Sequence, residues 1–289
     1  MSFFVASSFD SHYWPETLLI DLSMYCRIEE TLPKKRIHLS IRMPSSASGY
    51  EATLPLFNLF LRLPDVLVSS AHFRPEVVRK LRSTREEEIR RLMEAARCLA
   101  PSGGLRGLTY RCLFGLLTVT GLRISEVLAL TREDVDLRNG LLTIRGAKFG
   151  KTRLVPLHPS ACRALSRYAQ QRDELLNPPR AANFLLCASG RPPEVSTVRR
   201  VFYQLSRQTG LRGPSDRRGP RLQDFRHRCA TEILLKWYQA GEDVERRLPV
   251  LSTFLGHGHI SETFWYLSGS SELLEQAARR LERRWKVQP

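Results

Sequence analysis

Arg123, Lys148, Arg226, His257 and Tyr266 follow one another in that order and carry the chemistry this chain can offer. A planar arginine fork grips phosphate oxygens bidentately. Two arginines therefore suit the negative charge that builds on the non-bridging oxygens when a phosphodiester is attacked. A tyrosine hydroxyl, with an ordinary pKa of about 10, must give up its proton as it attacks, and the departing 5′ oxygen must gain one. Such a reaction wants both a base and an acid. With the charge met by arginine and lysine, no metal and no organic cofactor is expected. Each residue alone has a plainer reading: an arginine at a helix start is commonly solvated or ion-paired, and a histidine can be a cap or a core residue. Order and spacing raise the set above those readings. Arg123 lies in Thr120-Gly121-Leu122-Arg123-Ile124-Ser125-Glu126-Val127, Lys148 in Gly146-Ala147-Lys148-Phe149-Gly150-Lys151, and Arg226 in Gln223-Asp224-Phe225-Arg226-His227. Tyr266 comes nine residues after the His257 of Leu255-Gly256-His257.

The elements that must hold these residues are mostly helical. Ser83-Thr84-Arg85-Glu86-Glu87 offers a capping box, Glu86-Glu87-Glu88 suits an acidic first turn, and Ile89, Leu92, Met93 and Ala96 recur at helical spacing. Helical patterns follow over 105–119, 124–130, 160–172, 195–207, 222–238, 244–254 and 272–285, with Thr131-Arg132-Glu133-Asp134 marking a short turn. Between them Leu141–Arg145 and Arg153–Leu157 read as the two arms of a hairpin around the Lys148 connector. The expected class is mostly α with a small antiparallel β-sheet (α+β). Trp237, Tyr238, Phe254, Phe264 and Trp265 read as packing residues rather than a base-stacking platform. Arg279-Arg280 and Arg283-Arg284 fit a solvated face and a phosphate contact equally well.

The 289 residues carry a formal net charge of +16, the footprint of a protein that neutralises phosphates, with surplus solubility charge as the duller reading. Residues 1–70 hold six Lys/Arg against seven Asp/Glu, so the excess lies in 71–289. The first stretch is punctuated by Pro15, Pro33, Pro44, Pro55 and Pro64 and a Ser45-Ser46-Ala47-Ser48-Gly49 tract, and no fold is assigned to it. No apolar run approaches the roughly 18 residues a membrane span needs, and no secretory signal opens the chain. A soluble, cytoplasmic protein without membrane contact is expected. The six cysteines are too scattered for a zinc site and read as reduced, mostly buried thiols.

The ordered set of motifs resembles the tyrosine recombinase, or phage integrase, family over roughly residues 83–285. Trp237-Tyr238 and Trp265-Tyr266 look most like recombinases of mobile elements. The resemblance implies the catalytic fold of DNA breaking-rejoining enzymes and a site-specific recombinase or integrase. Such an enzyme cleaves and rejoins double-stranded DNA through a 3′-phosphotyrosine without metal. Tyr266 would be the nucleophile and Arg123 and Arg226 the phosphate clamp. Lys148, in the hairpin turn, would be the acid, with Lys151 as the alternative, and His257 would hydrogen-bond the phosphate and help place Tyr266. A homotetramer on paired sites, associated with the nucleoid, is implied as well.

Two features depart from the family's pattern. Members read His-x-x-Arg where this chain has Gln223-Asp224-Phe225-Arg226, and glutamine can hydrogen-bond but cannot titrate. If that histidine takes the tyrosine proton, about 10²- to 10⁴-fold of general-base assistance is at stake. His227 is expected to be no substitute, because adjacent helical positions point about 100° apart. Residues 1–75 are short and without the positive charge wanted of the family's DNA-clamping domain, so they are taken as a truncated or replaced version of it, with the catalytic domain at 76–289. Two rival readings follow: a catalytically impaired DNA-binding relic or regulator, and a type IB topoisomerase-like relaxing activity.

Overall fold

The computed structural model describes residues 86–101, 103–147, 151–177, 181–216, 219–268 and 273–279. Residues 1–75, the Ser83 end of the capping box, Lys148, Arg280, Arg283 and Arg284 lie outside them.

The first helix, α1 (Glu86–Arg97), begins on three glutamates and buries Ile89, Leu92, Met93 and Ala96, the stripe its sequence spacing predicts. It packs on α2 (Leu105–Thr120), the central helix, which is buried nearly all round and also touches the fourth and sixth helices. Three threonines are tolerated there because Thr109, Thr118 and Thr120 donate their hydroxyls to carbonyls one turn back, on Leu105, Phe114 and Leu116. The helix stops at Gly121, whose φ of 59° is left-handed. A Cβ there would press on Cys229 and Leu255 at 3.0–3.1 Å, so glycine also permits the close approach of two later helices. Leu122 and Arg123 then turn the chain into the short α3 (Ile124–Ala129).

The hairpin forms as expected, as β2 (Leu141–Ala147) and β3 (Lys151–Pro156). Leu142 pairs with Val155 and Ile144 with Arg153, all four facing inward. A register shift between Ile144 and Ala147 twists the turn end. A third strand, β1 (Val135–Asp136), was not evident from the sequence. Thr131 donates its backbone N–H and hydroxyl to Asp134, and the chain leaving that turn pairs two residues with Leu141 and Leu142. The sheet order is β1-β2-β3, all antiparallel.

Five more helices follow among the described residues: α4 (Pro159–Leu176), α5 (Val195–Gln208), α6 (Asp224–Gln239), α7 (Val244–Leu255) and α8 (Ser261–Ser268), followed by helical residues 273–279. Phe225, on the first turn of α6, stacks on Phe114 of α2 and meets Phe202 of α5 edge-on, with centroids 6.0 and 5.9 Å away. This contact fixes the start of α6, and with it the neighbouring Arg226. Trp237 and Phe254 are buried, and Tyr238 and Phe264 pack against the core, as their apolar character requires. The expectation of mostly buried thiols needs correcting. All five described cysteines are free, but only Cys112 and Cys229 are buried; Cys98 is exposed and the other two are half-covered. No helix among the described residues is long and apolar enough to cross a membrane.

Candidate active site

Four chain segments converge where α3, α6, α7 and α8 meet. Arg123 is the N-cap of α3. Glu126 at N3 accepts the Arg123 backbone N–H at 2.8 Å and also its guanidinium at 3.1 Å, the reciprocal half of a capping box. About a third of the Arg123 side chain stays exposed, so its remaining donors can meet a ligand. Arg226 is buried, 5% exposed. It donates to the carbonyls of Gly121 at 2.9 Å and Leu255 at 2.6 Å, and its charge bears on the Tyr266 hydroxyl.

α7 ends at Gly256, whose φ of 70° is again left-handed. Three successive carbonyls there each accept from a different arginine: Phe254 from Arg153 at 3.1 Å, Leu255 from Arg226 at 2.6 Å and Gly256 from Arg123 at 3.3 Å. A helix C-terminus carries unsatisfied carbonyls and partial negative charge, so it gathers cations. Here it gathers three guanidiniums.

His257, the next residue, shares a 2.7 Å hydrogen bond between its Nδ1 and the Thr263 hydroxyl of α8. Its ring stacks on that of Tyr266, centroids 5.8 Å apart and planes at 13°. Burial, together with the nearby Arg226, Arg123 and Arg153, lowers its pKa to about 3. His257 is therefore neutral near pH 7, able to hydrogen-bond without carrying charge. Tyr266 is 6% exposed. Burial pushes its hydroxyl above the ordinary range, and the charge of Arg226 pulls the other way.

Arg123, Arg226, His257 and Tyr266 are thus brought together. Gln223 is exposed at the N-cap of α6 and its side chain caps nothing. Lys148 lies outside the described residues, and Lys151 opens β3. One expectation is overturned: His227 does not point away. Its ring lies 5.4 Å from that of Tyr266, tilted by 59°, and its Nδ1 is buried without a hydrogen-bond partner. Measured from Gln223 rather than Arg226, His227 is one turn along the same helical face, the i,i+4 relation. Burial lowers its pKa, chiefly against the pull of Asp224.

Sequence reasoning also missed Arg153. It is buried on β3 and forms a bidentate pair with Glu126 at 3.0 and 2.9 Å. The signal was available, because Arg153 shares strand parity with the inward-facing Val155 and Leu157, and a buried arginine demands a carboxylate.

Comparison with known proteins gives the family and the fold. Residues 82–272 match the family model described as Phage integrase family. The chain is 49% identical to the integrase/recombinase y4rB of Sinorhizobium fredii over 218 residues, 74% of this chain and 69% of that one. It is 33% identical to the tyrosine recombinase XerC of Chlamydia caviae over 59% of this chain and 50% of that one. Residues 15–98 also match a model described as PAT complex subunit CCDC47, over less than a third of the chain. The crystal structure of the XerH site-specific recombinase bound to palindromic difH substrate superposes with a TM-score of 0.51, at 23% identity, over 66% of this chain and 51% of that one. The fold is that of a tyrosine-recombinase catalytic domain. The chain belongs to the phage integrase, or tyrosine recombinase, family, and it spans from half to about two thirds of the length of these relatives.

Proposed function

We propose that this chain is a site-specific recombinase that cleaves and rejoins duplex DNA through a 3′-phosphotyrosine at Tyr266. The observation that carries the reading is the convergence of four residues: the His257 ring stacks on Tyr266 with centroids 5.8 Å apart, and Arg226 and Arg123 donate to the Leu255 and Gly256 carbonyls that precede His257. A phosphate seated beside Tyr266 would meet the free donors of Arg123 and Arg226. In the tautomer whose Nδ1 accepts from the Thr263 hydroxyl, Nε2 of His257 carries the proton and can donate to a phosphate oxygen.

The Tyr266 oxygen attacks phosphorus as the bond to the 5′ oxygen breaks. The phenolic proton leaves to a base or water, and Lys148 supplies a proton to the departing oxygen. Charge is met by guanidiniums, so the step asks for no metal. Residues 76–289 form the catalytic domain in this reading, residues 1–75 a truncated or replaced clamp, and double-stranded DNA is the partner. XerH is described as bound to palindromic difH substrate, which supports DNA as the partner; the homotetramer on paired sites rests on the family resemblance.

The test is single-turnover formation of a denaturant-stable adduct on a nicked suicide duplex carrying the cognate site. The parent should form the adduct and Tyr266→Phe should not. A parent that binds duplex DNA in a salt-sensitive way yet forms no adduct is the relic, and the enzyme reading then falls. Relaxation of plasmids lacking the site points to topoisomerase-like action instead.

A further inference from the structure

Arg153 lies outside the set of residues assigned to the reaction, yet it is the most heavily committed arginine beside it. Its side chain and that of Glu126 are each 7% exposed. Both of its terminal nitrogens go to the Glu126 carboxylate, at 3.0 and 2.9 Å, and its Nε goes to the Phe254 carbonyl at 3.1 Å. Glu126 in turn holds Arg123 by backbone and guanidinium. Although burial works against its ionisation, the hydrogen bonds and charges of Arg153 and Arg123 keep Glu126 below the usual carboxylate range. The Phe254 carbonyl belongs to the last turn of α7, two residues before the Gly256 that accepts from Arg123 and three before His257. A Cβ on Gly256 would lie 2.5 Å from an Arg153 nitrogen, so the turn is folded directly over this guanidinium.

A buried carboxylate shared by two arginines has a definite logic. Alone, Glu126 could follow Arg123 toward a phosphate or swing between rotamers. Chelated by Arg153, it is locked, and the Arg123 fork keeps one orientation while its remaining donors face outward. We propose that Arg153 is a positioning residue for the phosphate clamp: it fixes Arg123 through Glu126 and the His257 turn through the Phe254 carbonyl, without touching DNA. The proposal rests on the recombinase reading above.

The consequence is selective for charge. A clamp held in register matters most where it neutralises the scissile phosphate, and least where that phosphate carries no charge. The experiment compares single-turnover adduct formation by the parent, Arg153→Gln and Arg153→Lys on two suicide duplexes, one with an ordinary scissile phosphate and one with a methylphosphonate. Folded fraction is read by circular dichroism. Arg153→Gln should cost about 10²-fold on the phosphate, the scale of a misplacement of about 1 Å, and less than tenfold on the methylphosphonate. Arg153→Lys keeps a charge for Glu126 but loses the fork and the Phe254 bond. It should fold where Arg153→Gln is marginal and show the same asymmetry to a smaller degree. An equal penalty on both substrates, or none, means Arg153 is only structural and overturns the proposal while leaving the recombinase reading intact. Absence of any adduct from the parent overturns both.

Discussion

Truncating Arg226 to alanine separates two roles of one side chain, the structural one it shows and the catalytic one proposed for it. Two of its donors are spent on the Gly121 and Leu255 carbonyls, at 2.9 and 2.6 Å, in a site where only 5% of the residue is exposed. Each buried carbonyl left without a donor costs about 1–3 kcal/mol, so Arg226→Ala should weaken the fold by roughly 2–6 kcal/mol. For a domain of this size that lowers Tm by roughly 5–20 °C, serious against a total of about 5–15 kcal/mol but survivable at low temperature. The same fork is preorganised beside the Tyr266 hydroxyl. Losing it should cost a further 10²- to 10³-fold in adduct formation, about 2.7–4 kcal/mol of transition-state stabilisation. Arg226→Lys should recover part of the stability and little of the rate, because one ammonium cannot span both carbonyls and a phosphate. The assay is single-turnover adduct formation on a suicide duplex at a temperature where circular dichroism shows each variant folded. A folded Arg226→Ala protein that forms the adduct within tenfold of the parent would refute the reasoning.

Gln223→His should speed adduct formation, by up to about 10²-fold, and add a rise with pH centred near 6.5; an unchanged rate would pass the proton to His227 or water, and His227→Gln would then be the slow variant. Gly256→Ala should lower stability by more than the roughly 1–2 kcal/mol of left-handed strain, because the added methyl also displaces Arg153 from Glu126. A denaturant midpoint unchanged by this substitution would contradict the close approach. His257, at about 3 in the folded chain against about 6.5 unfolded, contributes stability that is complete above pH 6.5 and drains away as pH falls toward 3. Melting curves of His257→Gln should therefore be flatter than the parent's between pH 7 and pH 5. Equal slopes would mean that the ring is not shielded as described.

Most of the helices were legible from apolar periodicity, though α8 was not among the stretches so read, and the hairpin because Leu142, Ile144, Val155 and Leu157 alternate cleanly. Motif order brought Arg123, Arg226, His257 and Tyr266 onto one list, and the structure places those four side by side. What stayed hidden depended on geometry that periodicity does not carry. β1 is two residues long, created by a turn rather than by strand propensity. His227 was misjudged because its direction was taken from Arg226, whereas the useful reference was the vacant histidine position one turn earlier. Arg153 stood in an inward-facing strand position, and its partner Glu126 belongs to a helix 27 residues upstream, beyond the reach of any local pattern.

The three guanidiniums at the end of α7 are tied across the chain. Phe254 receives its partner from 101 residues upstream, Gly256 from 133, and Arg226 reaches back 105 residues to Gly121. Contacts of such separation close late, after the intervening loops have lost their freedom. A nascent or partly unfolded copy therefore holds all the site residues but not the assembled site, and whatever chemistry they support together arrives only with the finished molecule.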